Sequence, residues 1–349
     1  MKLVDVIEEL IEERGLDRNV LSTIISEGML AAYAKKYPIL PLKVEYDRKK
    51  GDVVVFVEKE VVSTVDDEDV QISLKKARFV NKDAQLQDKL WVPFEKTIGR
   101  IEILWARQAI ASRLRKIEVD NVYNEFKARR GEIILGVINK CERSGIVVMI
   151  GETPAFLPRS LSIPDDKCLI GFSIRALLKE VLSEPRGDHQ LILDRASEEF
   201  VAQLFSLEIP EVFEGLIEIK KIVRIPGYKS KIMVSSNDAN IDPVGTCVGV
   251  GGSRIKPILK ELGNEKIDII AATDSLEMLI RTALKPAQIE SVHVEDAVAT
   301  VILDDEQRSL AIGKMGQNIA LASRLAGVDI QLAQKQSGPQ EPLDLDFSN

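Results

Sequence analysis

Histidine is nearly absent from this chain: 2 occur in 349 residues, His189 and His293, which leaves a histidine-based metal cluster almost nothing to be built from. Cysteine is scarce too, with 3 residues, Cys141, Cys168 and Cys247. They are odd in number, widely spaced and without a Cys-x-x-Cys pair, which argues against both a disulfide scaffold and a zinc site; they read as reduced, packed thiols. No Gly-x-Ser-x-Gly elbow occurs, and no apolar run approaches the ~18 residues of a membrane span. The segment Met1-Lys2-Leu3-Val4-Asp5-Val6-Ile7-Glu8-Glu9 carries acids every few residues, so nothing directs the chain out of the cytoplasm or onto a membrane. Positive charge is also in deficit. The net charge is −8, and residues 199 to 333 carry 14 Lys+Arg against 19 Asp+Glu, so a general polyanion binder, which depends on summed phosphate neutralisation, is disfavoured. Any nucleic-acid affinity has to come from local basic clusters such as Lys220, Lys221, Arg224, Lys229 and Lys231, with backbone contacts and base edges supplying the rest.

What the chain does have is bulk and a repeated turn. At 45% hydrophobic and 29% charged it can fill two to four compact domains. The stretch Val248-Gly249-Val250-Gly251-Gly252-Ser253-Arg254-Ile255 is echoed by Ala311-Ile312-Gly313-Lys314-Met315-Gly316-Gln317-Asn318-Ile319. A Gly-x-x-Gly turn therefore occurs twice, 64 residues apart (313 minus 249), each time opening an amphipathic helical pattern. A glycine pair removes side-chain bulk so that another backbone can approach, and a helix start offers unpaired N–H groups and a partial positive charge. Both features suit a phosphate chain. A Rossmann pattern begun at Gly249 needs a third glycine where Arg254 stands, and neither turn continues into the Gly-Lys-Ser/Thr of a P-loop, so a mononucleotide cradle is excluded on spacing. The reading left is the KH module, whose Gly-x-x-Gly loop clamps about four nucleotides of single-stranded nucleic acid.

The fuller runs Asp242-Pro243-Val244-Gly245-x-Cys247-Val248-Gly249-x-x-Gly252-x-Arg254-Ile255, Glu265-Lys266-Ile267-Asp268-Ile269-Ile270 and Leu310-Ala311-Ile312-Gly313-Lys314-x-Gly316-Gln317-Asn318 resemble the bacterial NusA family of transcription elongation, termination and antitermination factors. The resemblance covers nearly the whole chain. It implies a multidomain α+β protein: an N-terminal α/β domain with a connector helix over residues 1–126 that docks on RNA polymerase, an S1 domain of OB fold over 130–196, KH domains over 197–273 and 274–335, and a disordered acidic tail over 336–349. The implied partners are RNA polymerase, nascent single-stranded RNA and other Nus elongation factors. The implied protein is a cytoplasmic, non-enzymatic monomer without cofactor or metal.

The residue patterns support this division. Leu3, Val4, Ile7, Leu10 and Ile11 repeat at helical spacing up to Gly15; Asp17 then caps a second stripe of Val20, Leu21, Ile24, Ile25 and Met29. Strand-like periodicity follows from Val44 to Val62 around a turn at Lys49 to Asp52, and Asp66-Asp67-Glu68-Asp69 reads as a solvated loop. Trp91, Phe94, Ile98 and Ile101 to Ile103 precede a long helix from Trp105 to about Phe126. Five β-rich runs between Gly131 and Leu193 fit a small barrel, with Phe156 read first as a core residue and otherwise as its stacking candidate, and Arg143 and Arg159 as candidate backbone contacts. The order helix, strand, strand, helix, helix, strand then appears twice, first to Ala271 and again to Leu332, an internal repeat predicted to pack as one rigid platform.

RNA is accordingly expected against Gly249, Val250, Gly251 and Gly252 and against Gly313, Lys314, Met315 and Gly316. Lys314 offers charge, while Arg254, Gln317 and Asn318 stand at helix starts facing base edges or phosphate. Arg224, Lys229 and Lys231 match the family's Arg-x-Pro-Gly-x-x-x-Lys stretch as flanking contacts. Gly251, at a position often basic in that family, predicts weaker binding by the first unit. The rival reading is an RNA-processing or ribosome-associated protein of S1 and KH modules without polymerase contact; a nucleotide-dependent enzyme lacks any acid, base or metal constellation.

Overall fold

The computed structural model describes residues 18–47, 52–96 and 98–334. The helix expected over Leu3 to Ile11 with its Gly15 stop, the Asp17 cap, the turn at Lys49 to Gly51 and the tail from 336 lie outside the described residues. The chain divides into two compact units, Met1–Asn121 and Val122–Asn349.

In the first unit, α1 (Arg18–Lys36) precedes β1 (Leu42–Asp47), β2 (Asp52–Val62), β3 (Gln71–Ser73), α2 (Leu74–Val80), β4 (Lys89–Pro93) and most of α3 (Arg100–Phe126), whose end from Val122 onward belongs to the second unit. The long strand β2 organises the sheet: it pairs antiparallel with β1 and β4 and parallel with β3. Ile24, Ile25 and Met29 recur at helical spacing on α1 and are buried against Val44, Val55, Ala106, Ile110 and Leu114. Gly28 makes that packing possible, since a Cβ there would lie 3.4 Å from the Ala106 carbonyl and overlap the Ile110 side chain at 2.3 Å. Helix α3 starts at Arg100, five residues before the predicted Trp105. Ile101 and Leu104 are exposed on its first turns, so their apolar character marked helix surface rather than a preceding core segment. The acidic loop holds itself: the Asp69 backbone N–H donates to Asp67 Oδ1 at 2.8 Å and the Asp69 carboxylate accepts from Lys96 Nζ at 2.6 Å. Among the described residues no helix is long and apolar enough to cross a membrane.

The second unit opens on a closed five-stranded barrel of OB type: β5 (Ile133–Cys141), β6 (Gly145–Ile150), β7 (Thr153–Pro158), β8 (Ser173–Arg186) and β9 (His189–Asp194), in the order β5-β6-β7-β9-β8. Only the β7–β9 pair is parallel, and closure leaves no free sheet edge. Two of the three thiols are not reduced. Cys141 and Cys168 form a disulfide with Cα atoms 6.1 Å apart, within the ordinary span of such a bond. The loop after β7 brings them together: it folds back on β5, Ile138 N–H donating to the Phe172 carbonyl at 2.9 Å and Gly171 N–H to the Ile138 carbonyl at 2.8 Å. Cys247 is free and buried, and burial pushes its thiol up to about 11.

After the barrel come α4 (Glu198–Glu208), α5 (Pro210–Phe213), β10 (Ile217–Ile225), β11 (Lys229–Ser236), α6 (Pro243–Val248), α7 (Ile255–Leu262) and β12 (Lys266–Ala271). Ser197 caps α4 by accepting from Phe200 N–H at 3.2 Å. Next follow α8 (Leu276–Ala283), β13 (Ser291–Glu295), β14 (Val298–Leu303), α9 (Asp305–Ile312), α10 (Gln317–Ala326) and β15 (Asp329–Gln334). Each set forms a three-stranded sheet with the same pairing: the first two strands antiparallel, the third parallel to the middle one.

The cores run into one another. Ile163 and Leu177 of the barrel are buried with Phe200, Leu204 and Phe205 of α4 and with Ile232, Cys247 and Ile258 of the first KH set. Val223 and Ile270 on the other face of that set's sheet are buried with Ile280, Leu321 and Leu325 of the second. Apolar faces packed into shared cores cannot be separated without exposing both, so barrel and repeats stand as one body.

Candidate nucleic-acid interface

The two glycine turns share one backbone path. After α6, Gly249 adopts φ 74, ψ 165 and Gly251 φ 60, ψ 20; after α9, Gly313 adopts φ 71, ψ 179 and Met315 φ 54, ψ 29. The first glycine of each turn thus sits where essentially only glycine goes, whereas Gly316, at φ 73, ψ 8, is in the ordinary left-handed region. Between the glycines the chain stands out into solvent: Val250 is 96% and Met315 87% exposed, and Lys314 is exposed beside Met315. No part of the described chain covers either turn.

Each turn is pinned from beneath by the residue five places after its first glycine. Arg254 sends Nη1 back to the Thr246 carbonyl at 2.9 Å and Nη2 to Glu211 Oε1 at 2.9 Å. Asn318, buried, donates from Nδ2 to the carbonyls of Leu310 at 3.3 Å, Ala311 at 3.2 Å and Leu284 at 3.4 Å. Thr246 and Leu310 occupy equivalent places, three residues before the glycine, at the end of a helix whose last carbonyls have no partner within the helix. The clamping side chain therefore passes under the turn. That is the physical reason for the first glycine: a Cβ at Gly249 would lie 2.9 Å from Arg254 Cγ, and one at Gly313 2.7 Å from Asn318 Cβ. At Gly251 and Gly316 nothing lies within 4 Å.

Comparison with known proteins agrees with this geometry. Residues 2–120 match the NusA N-terminal domain, 195–272 the NusA-like first KH domain and 276–339 the NusA-like second KH domain. A Thermus thermophilus protein named transcription termination/antitermination protein NusA is 35% identical over 96% of this chain and 90% of its own length. Proteins of the same name from Halalkalibacterium halodurans and Bacillus subtilis are 33% and 32% identical over 97% and 95% of this chain, and 90% of each relative is covered. The chain belongs to the NusA family.

In this NusA-family chain several predicted contact residues lie elsewhere than the sequence placed them. Arg224 is buried; its Nε and Nη2 donate to both oxygens of Glu265 at 2.8 Å, and Nη1 donates to the carbonyls of Arg195 and Ser197. Glu265 also accepts from Ser230 Oγ at 2.6 Å and Gly227 N–H at 3.0 Å. Arg195 is buried next to it, bound to Asp166 and Glu261, and both guanidinium groups lie over the Phe200 ring. Burial alone would lower the Arg195 pKa, but Asp166 and Glu261 hold it above the usual arginine value. Lys231 is fully buried with Nζ 2.7 Å from Asp268 Oδ2; burial pulls its pKa down to about 8. Lys229 shares that carboxylate oxygen at 2.7 Å, and Lys221 donates to the Leu325 carbonyl at 3.0 Å.

Four of the five residues of the predicted basic cluster, Lys221, Arg224, Lys229 and Lys231, are therefore tied into the interior rather than set as an RNA-facing stripe; Lys220 alone of the five is exposed, paired with Glu218. Arg224 and Lys231 are unreachable for a strand, because a buried charge must keep its partner. Asn318 likewise faces carbonyls, not base edges. Phe156 is half-buried, its ring 5.1 Å from His189 and nearly parallel to it at 9°, with Gly145 against its edge. Arg143 and Arg159 are exposed. Lys256, missed in the sequence reading, is exposed on the first turn of α7 with its stem over Gly252. The periodicity of α7 could have found it: Ile258 and Leu262 are the buried residues, which puts Lys256 and Lys260 on the opposite side.

Proposed function

We propose that this chain is a transcription elongation regulator that engages RNA polymerase through residues 1–126 and nascent single-stranded RNA through its two glycine turns, modulating pausing, termination and antitermination without catalysing a reaction. The names of its relatives support the first half. The observation that carries the second is the pair of exposed turns of one backbone geometry on a single rigid body. A strand laid across them meets bare backbone at Val250 to Gly252 and Lys314 to Gly316, with Lys256 and Lys314 opposite phosphate. Lys314 gives the second turn a charge inside the loop. The first turn has none there and relies on Lys256 just beyond it, so the second is the stronger grip.

Gly316→Asp is the decisive variant, because aspartate tolerates left-handed backbone and open space surrounds that position. Its carboxylate would face phosphate. RNA affinity of the full chain is expected to fall at least about tenfold, with Gly316→Asn, which has the same shape and no charge, losing much less. Equal affinity in wild type and Gly316→Asp would remove the second turn from the RNA path. Co-elution of the full chain with RNA polymerase in gel filtration tests the other half, and separate elution at micromolar concentration would contradict it.

A further inference from the structure

Asn318 has two duties, and only one belongs to its own turn. Its Nδ2 is consumed by three carbonyls, which can only accept; its Oδ1 therefore points away from them. There it accepts from Lys229 Nζ at 3.2 Å. Lys229 stands at the start of β11 in the first KH set, is 13% exposed, and is itself held by Asp268 of β12 at 2.7 Å. A continuous polar line thus runs from β12 through Lys229 into the residue beneath the second glycine turn. The first turn has no such tie: Arg254 is anchored on Glu211 within its own set.

We propose that Lys229 and Asn318 form a strut that fixes the spacing of the two turns, so that one strand entering either turn meets the other in reach. Both are positioning residues and neither touches RNA. This rests on the RNA reading of the turns. The apolar seam of Val223, Ile270 and Leu325 holds the two sets together with or without the strut, while the strut sets where the second turn stands within that docked pair. Two linked sites gain affinity for one ligand only when their separation matches what the ligand can span.

The test is Lys229→Met, which keeps the stem and removes the donor, measured on the full chain with two RNA probes. One is a tetranucleotide, about the length one turn clamps, and the other is a strand of about twelve nucleotides able to reach both. Tetranucleotide affinity is expected to stay within twofold, and affinity for the longer strand to fall about tenfold. For the tetranucleotide, which one turn holds, the slope of log affinity against log salt is expected to stay as in wild type. A phosphate contact would behave otherwise: its loss lowers that slope by ~0.7 and weakens both probes. A lowered slope on the tetranucleotide, or unchanged affinity for the longer strand, overturns the strut. Lys229→Gln retains an amide donor toward Asn318 and serves if the methionine variant does not fold; it is expected to fall between wild type and methionine on the longer strand. Should wild type bind neither probe, the RNA reading itself fails, a result separate from failure of the strut.

Discussion

The two KH sets solve one structural problem with different chemistry. Both must hold a turn whose first glycine lies in a glycine-only region, and both do so with a side chain that reaches back to the carbonyls ending the preceding helix. In the first set that side chain is a guanidinium, Arg254, with a carboxylate partner at 2.9 Å. In the second it is a buried neutral amide. The contrast extends to how each set is moored. The first is tied to the barrel through buried charges, Arg195 and Arg224 with Asp166, Glu261 and Glu265, as well as through apolar contact. The second adds to its apolar seam contacts without a buried ion pair across it: Lys229 to Asn318, Lys221 to the Leu325 carbonyl, and the surface pair of Arg324 with Glu198, each about half exposed. The first set is thus moored by buried ion pairs, and the second by packing together with single hydrogen bonds and an exposed pair.

The sharpest way to break that contrast is to remove one carboxylate from each mooring. Glu265→Ala strands the Arg224 guanidinium in the interior together with Ser230 Oγ and the Gly227 N–H, and is expected to cost about 3–5 kcal/mol in chemical unfolding of the second unit. Glu198→Ala takes away an exposed pair, and less than ~1 kcal/mol is expected. Similar losses for the two would mean that the buried charges do not brace the first set.

A smaller effect separates the two glycines of a single turn. Gly313→Ala places a Cβ against Asn318 in a backbone region that alanine avoids, so a cost of about 2–3 kcal/mol is expected, together with weaker binding of RNA. Gly316→Ala meets no neighbouring atom and carries only left-handed strain, about 1 kcal/mol. Urea midpoints of the two variants measure the difference. Equal costs would show that the Asn318 clamp does not pass within 2.7 Å of a Cβ at the first glycine.

Much of this architecture was legible in the residues. Short β-rich runs marked the barrel strands, and the twin glycine turns marked the repeat, because backbone conformations that only glycine adopts leave a trace in the sequence. The direction in which a charged side chain faces leaves none. Arg224 and Lys231 have the composition of a basic patch, and their partners Glu265 and Asp268 stand 41 and 37 residues away in the chain. Period-2 alternation also fails at this strand, since β11 is covered on both faces and Ser230, Lys231 and Ile232 are all buried. The Cys141–Cys168 bond was hidden for a similar reason: 27 residues separate the two, and only the fold-back of the loop onto β5 makes them neighbours. Lys256 could have been found, because it lies on the face of an amphipathic helix opposite its buried residues.

The third place in each turn gives the finest comparison. Gly251 and Met315 have nearly the same backbone angles, φ 60 and φ 54, yet only one is glycine. A left-handed methionine is strained by roughly 1 kcal/mol, and replacing it with glycine also adds freedom to the unfolded chain, so Met315→Gly is expected to stabilise by only about 0.5 kcal/mol. Its binding effect should be the more telling one. If side-chain contact from Met315 is part of the second turn's grip, Met315→Gly will bring RNA affinity down toward what the first turn achieves, while Gly251→Met will raise the first turn's share at a cost of similar size in stability. Competition binding with Gly316→Asp present in both backgrounds isolates the first turn. No change there on adding Gly251→Met would mean that the two turns differ in charge alone, and that Lys314, rather than the residue beside it, makes the second the stronger.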